Sequence, residues 1–346
     1  MSHKLALVGF GTVGQGLAEI LAEKGAEIER ETGTTFQVVA ITDMVKGALY
    51  DPQGLDLAGV LESVKEGGSL AGYPDRPGLI RGWDSFQTIS DTEADTILEV
   101  TFTNVEDGQP GLDHVRRALS LGKNVVTTNK GPIALAYREL KELAQSHGAR
   151  LLFEGTVMSG TPVLRMASSA LAGNRILGVR GILNGTSNYI LTRMEDGLSF
   201  DVALAEAQKL GYAEANPTSD VDGFDPQYKL LILADTVLGE TLSRDDIART
   251  GIRDITPDDL ARARADGARY KLIASLEKTA SGLKGRVAPE PVPLTDPLSG
   301  ISGAVNALTF HCDLSGDVTI VGSGAGRVET GYALLIDCIN LARGQV

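Results

Sequence analysis

Two cysteines in 346 residues exclude a disulfide-stapled scaffold. Neither Cys312 nor Cys338 stands in a CxxC or Cys/His cluster of the kind that holds zinc. Both read as buried thiols of a reducing compartment, with a bridge between them left open for a heat-adapted protein. Histidine is nearly as scarce: His3, His114, His147 and His311 share no motif, so a histidine proton relay is not the expected chemistry. No apolar run approaches the roughly 20 residues needed to span a bilayer. The chain enters the strand-like Lys4-Leu5-Ala6-Leu7-Val8 at once, without signal-peptide architecture, so a cytoplasmic location with no membrane partner is expected. Positive charge is in deficit, with 32 Lys and Arg against 45 Asp and Glu, a formal net charge of -13. No nucleic-acid partner is expected, because such a partner needs a basic face. What remains is a chain with 42% hydrophobic residues, enough for packed cores, and a length that suits two domains.

The first half reads as a dinucleotide-binding fold. Residues 5–8 form a continuous apolar run, as a strand buried on both faces does. The run leads into Gly9-Phe10-Gly11-Thr12-Val13-Gly14, and a helical pattern follows with Val13, Leu17, Ile20 and Leu21 on one face. In this G-x-G-x-x-G the first glycine permits the tight turn, the second admits a pyrophosphate, and the third lets helix and strand pack closely. The helix N-terminus then offers free N–H groups to the anion. The second strand, 36–41, ends at Thr42-Asp43. Asp43 stands where an acid holds a ribose 2′-OH, which favours NAD. Lys46, three residues on, can instead meet a 2′-phosphate, so the cofactor stays open between NAD and NADP. Strands at 96–101 and 124–128 alternate with helices at 113–121 and 134–147, which implies a parallel sheet. They end in polar loops at Thr103-Asn104 and Thr127-Thr128-Asn129-Lys130. Ligands in such folds sit beyond the strands' carboxyl ends, so Lys130 is expected to face cofactor or substrate.

Past residues 151–154 the pattern changes. A small-residue loop, 155–162, precedes a helix at 163–172, and a strand at 177–183 leads into Asn184-Gly185-Thr186-Ser187-Asn188-Tyr189. That amide and hydroxyl cluster suits a polar ligand, although capping alone explains Thr186 or Ser187. The richest segment is 211–229, which gathers Glu214, Asp220, Asp222 and Asp225 with Lys229 ahead of the apolar 230–233. Pro226 suits the first helical position, which makes Asp225 the expected N-cap. Lys229 falls four residues on, on the same side of the helix. A helix N-terminus carries partial positive charge, so a lysine there needs carboxylates beside it, and such a lysine suits proton transfer.

These motifs together resemble homoserine dehydrogenase. The resemblance runs from the glycine loop through Thr128-Asn129-Lys130, the 184–189 cluster and Gly211-Tyr212-Ala213-Glu214 with Asp225 and Lys229, to Gly322-Ser323-Gly324-Ala325-Gly326. It implies NAD(P)-dependent interconversion of L-homoserine and L-aspartate 4-semialdehyde, a step toward threonine, methionine and isoleucine. Lys229 is then the proton donor and acceptor, Lys130 lies at the nicotinamide and substrate, and Glu214, Asp225 and Asp220 bind substrate. Gly9, Gly11, Thr12, Val13, Gly14, Asp43, Thr103, Gly211 and Gly326 would contact the cofactor. Glu154, Val157, Ser159 and Thr161 resemble the family's structural sodium site, ligated largely through backbone carbonyls.

The implied fold is α/β: a Rossmann-type doubly wound parallel sheet over residues 1–152, completed by a C-terminal helix within 325–346. A second α+β domain, 153–324, would bind substrate and form a homodimer, with strands near 270–277, Val305–Cys312 and 318–321 in its sheet. The resemblance is to the short form of the family, so no C-terminal regulatory domain is expected. An aspartate semialdehyde dehydrogenase would need a nucleophilic cysteine near mid-chain, and both cysteines lie after residue 310. A non-catalytic dinucleotide sensor would leave Glu214, Asp225 and Lys229 without a task.

Overall fold

The computed structural model describes residues 2–345, which divide into two compact units: the residues up to Gly160 with those from Gly326 onward, and Thr161–Ala325. The first unit is built on strands β1 (Ser2–Val8), β2 (Thr35–Asp43), β3 (Gly47–Tyr50), β4 (Ile80–Arg81), β5 (Thr96–Glu99), β6 (Asn124–Thr127) and β7 (Leu151–Leu152). They lie in the order β4-β3-β2-β1-β5-β6-β7. The pairs β2–β1, β1–β5, β5–β6 and β6–β7 are parallel, while β3 and β4 add an antiparallel edge. This is the doubly wound sheet expected from the alternating pattern. The antiparallel edge is not legible in the sequence, because its strands are only four and two residues long.

Helices α1 (Thr12–Thr32), α2 (Leu57–Gly67), α3 (Ser85–Asp91), α4 (Gly111–Ser120) and α5 (Lys130–Ser146) connect these strands. The period of two along β1 sends alternate side chains to opposite faces. Leu5 and Leu7 pack in one apolar cluster with Leu17 and Leu21 of α1 and with Leu334, Leu335 and Cys338. Ala6 and Val8 pack in the other with Val115 and Leu119 of α4 and Leu140 of α5.

The second unit contains β8 (Ile176–Ile182), β9 (Ile247–Arg249), β10 (Ala268–Thr279), β11 (Gly282–Pro293), β12 (Val305–Cys312) and β13 (Gly316–Ser323). Its sheet order is β13-β12-β8-β10-β11-β9, antiparallel except where β9 meets β11. Helices α6 (Val163–Arg165), α7 (Gly185–Glu195), α8 (Phe200–Lys209), α9 (Thr218–Val221), α10 (Phe224–Thr236) and α11 (Pro257–Ala265) belong to it. The helix expected over 163–172 is α6 followed by a π-helical turn, Met166–Ala170. The last helix, α12 (Arg327–Arg343), packs in the first unit against α1, where Gly16 and Gly331 bring the two backbones together.

The boundary falls at Gly160, later than the division at 152 read from the sequence. Residues 153–160 are tied to α12: the Glu154 amide donates to Asp337 Oδ2 at 2.9 Å, and the Ser159 and Thr330 hydroxyls lie 2.8 Å apart. Cys312 and Cys338 are both buried and free, and burial pushes each thiol up from its ordinary value. No helix among the described residues is long and apolar enough to cross a membrane.

Candidate active site

In the first unit the site is the turn from β1 into α1. Gly9 adopts φ +99°, and a Cβ on it would stand 2.5 Å from the Val100 carbonyl oxygen, so only glycine fits beside β5. Gly14 is a packing glycine, its missing Cβ directed 3.0 Å from the Gly9 carbonyl and 3.3 Å from Leu7. Gly11 differs from both, because a Cβ there meets nothing within 4 Å. Gly11 is also the N-cap of α1, with no side-chain cap and no acid in the first turn. A 21-residue helix thus presents uncapped N–H groups to open space, which is what a diphosphate requires. The residues fit a dinucleotide. Thr12 is exposed and Val13 half-buried at the same helix end.

Asp43, at the carboxyl end of β2, braces this loop. One carboxylate oxygen accepts the Phe10 amide at 2.8 Å, and the other accepts the amides of Val45 and Lys46 at 3.0 and 2.9 Å. Burial opposes its charge, and the three amide donors and Lys46 prevail and lower its titration below the ordinary carboxylate value. Lys46 Nζ is 3.9 Å from the same carboxylate, so the two residues the sequence set in competition form a pair. Thr103 lies exposed beyond β5. Beyond β6, Asn129 caps α5 by accepting the Gly131 amide at 3.1 Å, which makes the half-buried Lys130 the first residue of that helix. Glu154, Val157 and Ser159 are buried in this unit, and Thr161 is the first residue of the other. Met158 and Ser159 take φ of 58° and 53°. Among the described residues no group of three or more His, Cys, Asp or Glu could hold a metal ion. Gly326, with φ +141°, ends the glycine-rich run at the start of α12.

The second unit carries the acid–lysine cluster. Lys229 on α10 is 6% exposed, and its Nζ donates to Asp225 Oδ2 at 2.7 Å and to the Leu183 carbonyl at 2.6 Å. The i,i+4 spacing therefore produces the expected pair. The expected cap is different: α10 starts at Phe224, with Gly223 at φ +79° as its N-cap. Asp225 is consequently inside the first turn, where the helix end favours a carboxylate. The reason is that only glycine enters the left-handed turn cheaply, so the helix starts ahead of the proline rather than at it.

Asn184, which the sequence marks only as one member of a polar cluster, is the hub of this site. Its Nδ2 donates to Asp220 at 2.7 Å and to Asp225 at 3.0 Å, while its Oδ1 caps α7 by accepting the Ser187 amide at 2.8 Å. Asp220, Asp225 and Lys229 are thus brought together. Glu214 is exposed, with its backbone carbonyl held by Gln208 Nε2 at 3.0 Å. Thr186 ties the same loop down through the Tyr212 carbonyl at 2.6 Å, and Gly211 is exposed at φ +77°. A lysine with two donors engaged, one of them on a carboxylate, can exchange a proton with an alkoxide, and the Asp220 and Asp225 carboxylates gathered by Asn184 can hold a substrate ammonium group.

Comparison with known proteins follows the same division. Residues 9–154 match the family model for the NAD binding domain of homoserine dehydrogenase, and residues 162–339 match the homoserine dehydrogenase model. The NAD(+)-dependent homoserine dehydrogenase of Pseudomonas canavaninivorans is 46% identical over 340 residues, 98% of this chain and 96% of that one. The homoserine dehydrogenase of Methanocaldococcus jannaschii is 41% identical, covering 97% and 98%. A hyperthermophilic archaeal homoserine dehydrogenase solved in complex with NADPH superposes with a TM-score of 0.85 at 30% identity, covering 99% and 98%. With this identity sustained over nearly the whole of both chains, the protein belongs to the homoserine dehydrogenase family and is an NAD(P)-dependent oxidoreductase acting on a CH–OH group.

Proposed function

We propose that this enzyme interconverts L-homoserine and L-aspartate 4-semialdehyde with Lys229 carrying the proton. The observation that carries the reading is the buried Lys229 Nζ held between the Leu183 carbonyl and Asp225. Two of its three N–H bonds are committed to these oxygens, and the third is available to the substrate oxygen. When bound, the nicotinamide supplies or accepts the hydride. In the reducing direction Lys229 protonates the nascent alkoxide, and in the oxidising direction it takes the hydroxyl proton. Asp225 holds the ammonium in place, and Asn184 holds Asp225 and Asp220 toward the substrate amino group, with Glu214 reaching it from the 211–216 loop. Lys130, at the start of α5, is assigned to the nicotinamide and substrate, and Gly9, Gly11, Thr12, Val13, Gly14, Thr103, Gly211 and Gly326 to the cofactor. The test is absorbance at the reduced-nicotinamide band with purified protein, L-homoserine and NAD or NADP. Homoserine-dependent reduction is expected, and its absence with both cofactors would overturn the reading.

Asp43 favours NAD modestly, because its carboxylate closes the end of β2 and Lys46 is engaged with it. Fluorescence titration should give comparable or tighter binding for NADH. NADPH binding more than about a hundredfold tighter would remove Asp43 from that role. A homodimer is supported by the resemblance and by β13, an eight-residue edge strand with Val321 exposed. Light scattering is expected at twice 36.4 kDa, and an active monomer would refute it. Sodium, if bound, takes backbone carbonyls at Glu154, Val157, Ser159 and Thr161. The two left-handed residues Met158 and Ser159 support this, since such conformations cost about 1 kcal/mol or more each and persist at ligand clamps. Equal melting temperatures in sodium and potassium salts would discard the ion.

A further inference from the structure

Glu99 is the last residue of β5 and is 0% exposed. A carboxylate removed from water is expensive unless donors surround it. Glu99 has donors from two loops. Its Oε1 accepts the Thr101 amide at 3.2 Å and also the Thr101 hydroxyl. Its Oε2 stands 3.4 Å from the Thr127 hydroxyl, which donates to the Glu99 backbone carbonyl at 2.7 Å and accepts the Asn129 amide at 2.9 Å. From α4, His114 Nδ1 lies 3.6 Å from Oε1 with no hydrogen-bond partner among the described residues, while Nε2 is 2.8 Å from Ser85 Oγ.

The two loops are also joined directly, since Asn129 Nδ2 donates to the Phe102 carbonyl at 3.3 Å. The room for this arrangement comes from Gly111. A Cβ there would stand 2.5 Å from Asn129 Nδ2 and 3.2 Å from Glu99 Oε2. The buried carboxylate therefore fixes the start of the loop carrying Thr103, and that loop is tied to the turn carrying Lys130 through the Asn129–Phe102 hydrogen bond. A hydrophobic residue of equal size would fill the same space but hold neither.

We propose that Glu99 is a positioning residue for the nicotinamide end of the cofactor site, acting through the 101–104 loop and the 127–130 turn, with His114 closing the network behind it. This rests on the assignment of Thr103 and Lys130 to cofactor and substrate. Glu99 itself touches neither.

The test uses full-length Glu99→Ala and Glu99→Gln, each checked for folding by near-UV circular dichroism. NADH affinity is read by fluorescence titration, and kcat and homoserine KM by absorbance. Misplacing reacting groups by about 1 Å costs up to roughly 10²-fold, so Glu99→Ala should lower kcat about 10–10²-fold. NADH binding should weaken about tenfold, and homoserine KM should change less than about threefold. Glu99→Gln keeps an oxygen for Thr101 and should recover most of both losses. A folded Glu99→Ala within about twofold of the parent in NADH affinity and kcat would overturn the proposal. So would a Gln variant no better than Ala. If Glu99→Ala does not fold, Thr101→Val removes one donor at the same carboxylate. It should weaken NADH severalfold, and unchanged affinity would overturn the proposal. A parent chain that binds NADH but leaves homoserine untouched would defeat the substrate reading instead, and the affinity measurement would still decide on Glu99.

Discussion

The close crossing of α1 and α12 makes a prediction whose sign differs at two glycines of one helix. A Cβ on Gly16 would lie 2.8 Å from the carbonyl carbon of Arg327 and nearer still to its oxygen. The reciprocal Cβ on Gly331 would meet the Leu17 amide nitrogen at 2.6 Å. Both obstacles are backbone, so Gly16→Ala must push the helices apart. Overpacking of this kind costs about 1–3 kcal/mol. Alanine recovers up to about 1 kcal/mol by its better helix propensity, so the net loss should be about 1–2 kcal/mol. Gly25 lies in the same helix with nothing within 4 Å of its missing Cβ. Gly25→Ala should gain about 0.5–1 kcal/mol. For a domain of this size each kcal/mol moves the melting temperature about 2–4 °C. Calorimetry should show the two variants displaced in opposite directions. A Gly16→Ala protein as stable as the parent would refute the backbone contact.

Two further perturbations separate structure from ligand binding. Gly11→Ala should melt like the parent, since its Cβ enters open space, yet weaken NADH at least about tenfold, whereas Gly9→Ala should fold poorly because of Val100; a Gly11→Ala protein with unchanged NADH affinity would remove the pyrophosphate from that position. Lys271, fully buried on β10 and donating to the Ile301 carbonyl at 2.6 Å, is held down to about 8 by burial, with Glu195 opposing and Arg269 assisting. Above about pH 8 the folded chain binds fewer protons than the unfolded one, so this group makes unfolding free energy rise between about pH 8 and 10.5, by about 3 kcal/mol. Denaturation of Lys271→Met across that range should lack this rise, and parallel profiles would contradict it.

The parts that were legible in the sequence are those whose chemistry is local. Gly9, Gly11 and Gly14 follow one another along a strand-to-helix turn, and Asp225 and Lys229 are one helical turn apart. The strand β11 was not legible, because Pro289, Pro291 and Pro293 argue against a strand. Spaced two apart, they place their missing N–H groups on one side of the strand, while the pairing with β9 is confined to 285–287. Asp225 was misplaced as a cap because proline signalled the helix start more loudly than Gly223 did. Glu99 with His114, and Gly16 with Gly331, were invisible for another reason. Each becomes meaningful only when distant segments meet, and nothing in its own neighbourhood marks it.

The central claim is that Lys229 moves the proton. Its most direct test is kcat together with NADH affinity for Lys229→Ala in correctly folded protein. Loss of a positioned acid or base should lower kcat about 10²–10⁴-fold. NADH affinity should stay within about twofold of the parent, because the glycine loop belongs to the other unit. Near-normal turnover by folded Lys229→Ala would contradict the account and leave Lys229 only as the ion-pair partner of Asp225.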